Sequence, residues 1–242
     1  MIADFAPSDE AEARIVGREL LATVATTVLY PFGYIGRGRR TPRQRGQRTV
    51  VLVHGWLANS SSLLPLKAYL RAHGIRQILA YDYRTTHGLE SAAIGLKDFL
   101  RRHVRGGRID LVCHSYGGLV ARAYLQQLGG ARRVDHCITL GTPHRGTYNA
   151  YWLASRVGRE LRPDSRALAR LEATKENAAT VRFLSIVAGS DNIVLPRVFS
   201  VGSSDVLHLP GIGHLGMLFS PVAFRAVTNC LLAGMGTTGQ SR

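Results

Sequence analysis

The chain is poor in several things that would settle its class at a glance. It has three cysteines, Cys113, Cys137 and Cys230. An odd number excludes a framework in which every thiol is paired. Cys113 and Cys137 stand in apolar runs, where cysteine behaves as a small buried hydrophobe. Lysine is almost missing: Lys67, Lys97 and Lys175 are the only three among 31 basic residues, the rest being arginine. Acidic residues number only 16, so the formal net charge is +15. A surface of that sign attracts phosphate, on nucleic acid or on an anionic membrane. The arginines are spread along the chain, with no nucleic-acid module and no alternation of basic and aromatic residues. Nucleic acid is therefore not an expected partner, while a plain solvated surface and an attraction to anionic lipid both stay open. Tight histidine pairs and acidic clusters of the metal-binding kind are missing too, so no metal or other cofactor is expected. Nothing in the sequence speaks to the oligomeric state.

Long apolar runs are equally scarce. Residues 1–14 are acidic (Asp4, Asp9, Glu10, Glu12), where a secretory signal needs a basic start. A cytoplasmic or membrane-peripheral place is the expectation. From Leu20 to Gly36 no charge appears, but these 17 residues are at the lower limit of a span and are broken by Pro31 and two glycines. Val16, Leu20, Val24 and Val28 recur every fourth residue, flanked by Leu21 and Leu29, so the spacing predicts an amphipathic helix. Packing on its own domain, contact with a membrane surface or substrate entry, and a true span are its three open readings. Six arginines between Arg37 and Arg48, with Gly and Pro among them, read as a solvated linker suited to anionic headgroups. Residues 1–48 are thus expected to stand apart from a domain at 49–242.

What is present fits one α/β domain: 242 residues, 45% hydrophobic and 19% charged. That length buries a large core without staples. TVVLVH (49–54) is a continuous apolar run, as in a strand buried on both faces. Strands are predicted again at 77–83, 109–113, 136–141, 181–189 and 205–209. Helices are predicted at 63–73, 91–103, 115–128 and 221–232. This alternation predicts a mostly parallel central sheet with helices on both faces. Between 145 and 180 the pattern changes to short Arg- and Ala-rich helical runs, read as a small cap inserted mid-sheet.

The chemistry concentrates where strands end. In Cys113-His114-Ser115-Tyr116-Gly117-Gly118 a serine stands on the turn between a buried strand and a helix. Such a turn exposes the hydroxyl and points a helix N-terminus at the same spot. A serine hydroxyl is a weak nucleophile and needs a base. His54-Gly55-Trp56 ends the first strand; the amides of Trp56 and Tyr116 are the candidate oxyanion hole. His54, Gly55, Leu57, His114 and Trp152 are candidate substrate-binding residues. Asp191 follows a buried strand, and His214 follows 23 residues later in a glycine-flanked loop. Their order after Ser115 is that expected of an acid and a base. Asp205 and His208 are the nearest competitors, with His208 inside a strand-like run.

HGW (54–56), HSYGG (114–118), LGTPHRGT (140–147), GSDNIV (189–194) and GHLGML (213–218) together resemble the bacterial triacylglycerol lipases and esterases of the α/β-hydrolase superfamily. The resemblance runs from about residue 49 to 233. It implies the α/β-hydrolase fold, hydrolysis of lipid or fatty-acyl esters through an acyl-enzyme on Ser115, and a pocket edge shaped by residues 140–147. A short-chain carboxylesterase and an acyltransferase use the same triad. Cys113 departs from the glycine that many relatives have there.

Overall fold

The computed structural model describes residues 9–33, 44–45, 48–195 and 205–236. Among the described residues there are eight strands: β1 (Gln44–Arg45), β2 (Thr49–Val53), β3 (Ile78–Tyr81), β4 (Val104–Arg105), β5 (Ile109–His114), β6 (Val134–Leu140), β7 (Arg182–Ala188) and β8 (Asp205–Leu209). Six of them form one sheet in the order β3-β2-β5-β6-β7-β8. Every pair in it is parallel. β1 and β4 form a separate two-residue ladder.

Parallel strands need crossovers, and the helices supply them. They are α1 (Asp9–Leu29), α2 (Leu64–Ala72), α3 (Leu89–His103), α4 (Tyr116–Gln127), α5 (Arg156–Glu160), α6 (Arg166–Ala173) and α7 (Pro221–Gly236). Alternate residues of β2 serve opposite cores, as strand geometry demands. Val51 and Val53 join a cluster with Leu96 of α3 and Leu119 of α4. Val50 and Leu52 join a second cluster with Leu66 of α2 and Val227 of α7. The chain leaves β2 toward β3 and then returns past β2 to β5. Strand order therefore reverses between β2 and β5, where the carboxyl ends of open parallel sheets form their crevice.

Three expectations change shape in the structure. The insertion between β6 and β7 is helical, as expected of a cap, and its later part is built into the core. Leu168 and Leu171 of α6, with Ala178, are buried in the same core as α4. Arg48 is no linker residue. Its guanidinium binds Asp110 at 2.5 and 2.8 Å and the Gly234 carbonyl at 2.7 Å. The other arginines at 37–43 lie outside the described residues.

The third concerns α1. The expected helix forms, and it packs on the domain by the face opposite its apolar stripe. Val16, Leu20, Leu21, Val24 and Val28 are each more than half exposed. Ile15, Glu19, Ala22, Thr26 and Leu29 are buried or half-buried. Small Ala22 allows a close approach, and Glu19 enters the interface because its oxygens find amide partners there. Residues 1–48 thus include a helix that packs on the domain. Among the described residues no helix is long and apolar enough to cross a membrane.

Candidate active site

Ser115 begins where β5 stops. It is a non-glycine residue at positive φ, 52° with ψ −124°. Such a backbone costs of order 1–3 kcal/mol and survives only when its surroundings enforce it. The enforcement is visible. The Ser115 amide donates to the Leu140 carbonyl at 2.8 Å, and Thr142 Oγ1 donates to the Ser115 carbonyl at 2.8 Å. A Cβ on Gly117 would lie 2.5 Å from the His54 carbonyl oxygen and 2.6 Å from that of Val53. A Cβ on Gly118 would strike the Thr142 side chain. The glycines are therefore needed for space. Cys113 fits at its position because it is wholly buried between Val53 and Thr139 of the flanking strands. Burial pushes its thiol pKa well up, so it stays a protonated packing group.

Asp191 follows β7 and His214 follows β8. His214 Nδ1 donates to Asp191 Oδ2 at 2.7 Å. The other carboxylate oxygen, Oδ1, accepts the amides of Ile193 and Val194, each at 2.9 Å. Burial by itself would raise the Asp191 pKa; the His214 contact and the two amides outweigh it and hold it below the usual carboxylate value. A buried ionised carboxylate on Nδ1 leaves Nε2 as the free, basic nitrogen. His214 comes near Ser115 through Gly141, whose Cβ would sit 3.1 Å from His214 Nδ1. Gly141 directly follows the Leu140 that holds Ser115. Among the described residues no hydrogen bond joins the Ser115 hydroxyl to the His214 ring; such contacts commonly tighten only when substrate binds.

The oxyanion candidates lie against the same serine. A Cβ on Gly55 would be 3.1 Å from Ser115 Cβ. Tyr116 opens α4, where the first amides have no intrahelical acceptor. Trp56 follows Gly55 directly, and its amide has no acceptor among the described residues.

The substrate-binding candidates divide. Gly55 borders the serine, and Leu57, 62% exposed and at φ 55°, stands at the loop surface. His54 and His114 are both buried and already engaged with neighbouring groups. His54 stacks on Tyr83 at 4.4 Å, and its Nδ1 donates to the Gly55 carbonyl at 2.9 Å. His114 Nε2 donates to the His214 carbonyl at 3.2 Å. Burial, with His214 nearby, drives the His114 pKa down to about 3, so this ring is neutral. Trp152 is 89% exposed, and no ring contact or hydrogen bond ties it to Ser115, Asp191 or His214 among the described residues. The competitors fall away as well. Asp205 opens β8 at the end opposite the crevice, and both it and His208 are exposed.

Two residues escaped the sequence reading, and a third, Thr142, was read only as part of the pocket edge. Thr142 holds the nucleophile's carbonyl. Glu160 of α5 accepts the Tyr116 hydroxyl at 2.7 Å and the Leu89 amide at 2.9 Å, tying the insertion to α4. Glu19 reaches the loop of His214. No local pattern announces Glu160 or Glu19, because each acts on a partner distant in sequence. Among the described residues no group of three or more His, Cys, Asp or Glu could hold a metal.

A model described as the alpha/beta hydrolase family matches residues 50–205. Solved structures agree at the level of fold. The mature lipase BlEst2 of Bacillus licheniformis aligns with TM-score 0.67 at 14% identity, over 76% of this chain and 91% of that one. Lipase B of Aspergillus fumigatus aligns with TM-score 0.62 at 15% identity, over 77% and 51%. Est1E of Butyrivibrio proteoclasticus aligns with TM-score 0.59 at 15% identity, over 83% and 91%.

Proposed function

The chain belongs to the alpha/beta hydrolase family, and from that premise we propose that it is a serine hydrolase cleaving carboxylic esters of lipids or fatty-acyl groups through an acyl-enzyme on Ser115. One observation carries the reading. A strained serine at a strand-to-helix turn shares its surroundings with a histidine whose Nδ1 is held 2.7 Å from a buried carboxylate.

Each residue then has one task. His214 Nε2 takes the Ser115 proton as Oγ attacks the ester carbonyl carbon. The carbonyl oxygen becomes an oxyanion and is met by the amides of Trp56 and Tyr116. Each such donor typically contributes about 10²–10³ in rate. The tetrahedral intermediate collapses, the C–O bond to the alcohol breaks, and His214 returns the proton to the leaving oxygen. Water, deprotonated by His214, repeats the sequence on the acyl-enzyme and releases the acid. Asp191 keeps the imidazole in one tautomer and stabilises its cation. Being held ionised, it can do so at neutral pH.

The test is a chain-length series of p-nitrophenyl esters on wild type and Ser115→Ala. The variant should lose at least about 10⁴ in kcat, with a residue of activity from the oxyanion hole. Retained activity overturns the reading. Preference for long acyl chains supports the lipid assignment; a sharp preference for short ones makes the chain a carboxylesterase. Acyl transfer to an added alcohol, seen by product analysis, makes it a transferase.

The exposed stripe of α1 and the charge of +15 also support a peripheral seat on anionic membrane. Beside the stripe, Leu21 and Ala25 border a cavity of about 520 Å³ against Ile212 and Phe219. Leu20→Glu should abolish flotation with phosphatidylglycerol vesicles. Equal flotation with phosphatidylcholine vesicles, or flotation unaffected by the substitution, removes this seat.

A further inference from the structure

We propose that Glu19 is a positioning residue for the candidate base: from α1, outside the stretch matched by the family model, its carboxylate holds the main chain of the loop that carries His214. The inference rests on the reading of Ser115 and His214 as nucleophile and base.

The geometry is specific. Glu19 Oε2 accepts the Leu215 amide at 3.0 Å, and Oε1 accepts the Gly216 amide at 2.6 Å. These are the two residues directly after His214. Charge-assisted bonds of this kind are stronger than neutral ones and define direction. Asp191 fixes the imidazole, and His114 Nε2 donates to the His214 carbonyl at 3.2 Å. Glu19 secures the chain on the far side of that carbonyl.

The loop is cut to admit this carboxylate. A Cβ on Gly213 would lie 2.3 Å from Glu19 Cδ, and one on Gly216 would lie 2.7 Å from Oε1. Neither glycine is at positive φ. Backbone conformation therefore does not demand glycine at either place, and space for Glu19 does. The helix behind the carboxylate is itself anchored at its other end. Asn59 Nδ2 donates to the Tyr30 carbonyl at 2.9 Å, and Gly33 packs directly on the Asn59 side chain. Asn59 lies three residues beyond Trp56. The segment from α1 to Gly33 thus braces the base loop at one end and the chain behind the oxyanion loop at the other. Effects of this sort are large because a misplacement of about 1 Å can cost 10²-fold in rate.

The experiment compares Glu19→Gln, Gly216→Ala and the double variant Glu19→Ala/Gly216→Ala on the full chain with a soluble p-nitrophenyl ester. Glutamine keeps the shape but turns one acceptor into a donor facing an amide N–H. Expected for Glu19→Gln are a kcat lower by about tenfold, a KM within about twofold, and a fluorophosphonate labelling rate that falls with kcat. Rates are taken per folded molecule. Gly216→Ala should act in the same direction. In the double variant the alanine should add nothing to Glu19→Ala, because the methyl then fills vacated space. A kcat within about twofold of wild type for Glu19→Gln overturns the proposal. So does a loss that vanishes per folded molecule, or a strictly additive double variant. Ser115→Ala runs alongside: if it stays active, the nucleophile reading itself has failed, whereas an inactive Ser115→Ala beside an unaffected Glu19→Gln sinks the role of Glu19 alone.

Discussion

The proposed nucleophile and its proposed base are held in opposite ways. Ser115 sits inside one continuous stretch, β5 into α4, and is fixed by the central strands on either side of it. Its amide is bound by Leu140, its carbonyl by Thr142, and its turn is closed by glycines against β2. His214 hangs after β8, an edge strand whose residues 205–208 are exposed. Its position comes from three separate places: Asp191 after β7, His114 beside the nucleophile, and Glu19 on the N-terminal helix. One partner is held by close packing and hydrogen bonds from the adjacent strands, the other by convergence of polar side-chain contacts from separate elements. The first kind of restraint is stiff and steric; the second is electrostatic and open to titration and substitution.

Three outcomes would break or sharpen that contrast, the largest first. Asp191→Asn should lower kcat by about 10³–10⁴, because an amide can present its NH₂ to Nδ1 and favour the wrong tautomer. The fold should persist, and stopped-flow hydrolysis with a melting curve reads both. A loss under tenfold would mean that the base is held without its acid. Gly117→Ala tests the steric partner. Its methyl meets two backbone carbonyls that cannot move independently, so overpacking should cost about 1–3 kcal/mol and visibly lower the melting temperature. Unchanged stability would show the elbow to be looser than its distances imply.

The smallest effect concerns pH. The Asp191 pKa is depressed in the fold. Its contribution is therefore complete above the unfolded value of about 3.9 and is lost as pH falls through the lower folded value. Hydrogen exchange read by mass spectrometry should show residues 211–216 losing protection on acidification before residues 109–118 do. Simultaneous loss would erase the distinction between the two regions.

How much of this was legible in the sequence follows the same division. The six strands of the main sheet announced themselves as short, mostly apolar runs closed by glycine or a polar turn, whereas the two-residue ladder of β1 and β4 carried no such signal. β5 and β8 came within one residue of their expected ends. That Ser115, Asp191 and His214 each follow a strand was legible, and chain order ranks them as candidates. The apolar spacing of α1 was legible, but not its facing. The stripe Val16, Leu20, Val24 and Val28 has the right period for a buried face and is exposed all the same. Hydrophobic period reports that a helix has two sides; it does not report which side meets a neighbour offering two unpaired amides.

The sequence by itself determined the alternation of strand and helix, the glycine-lined turn at the nucleophile and the order of the chemically competent residues. The alternation depends on neighbours one to four positions apart, where propensity and sterics act, and the residue order is read directly off the chain. Only the tertiary structure decided that His54 and His114 are internal supports, that Arg48 is buried on Asp110, and that Glu19 meets the base loop across almost 200 residues, |i−j| being 196 and 197. Those outcomes turn on whether a polar group buried by packing finds a partner, and partners so far apart along the chain are known only once the chain has folded.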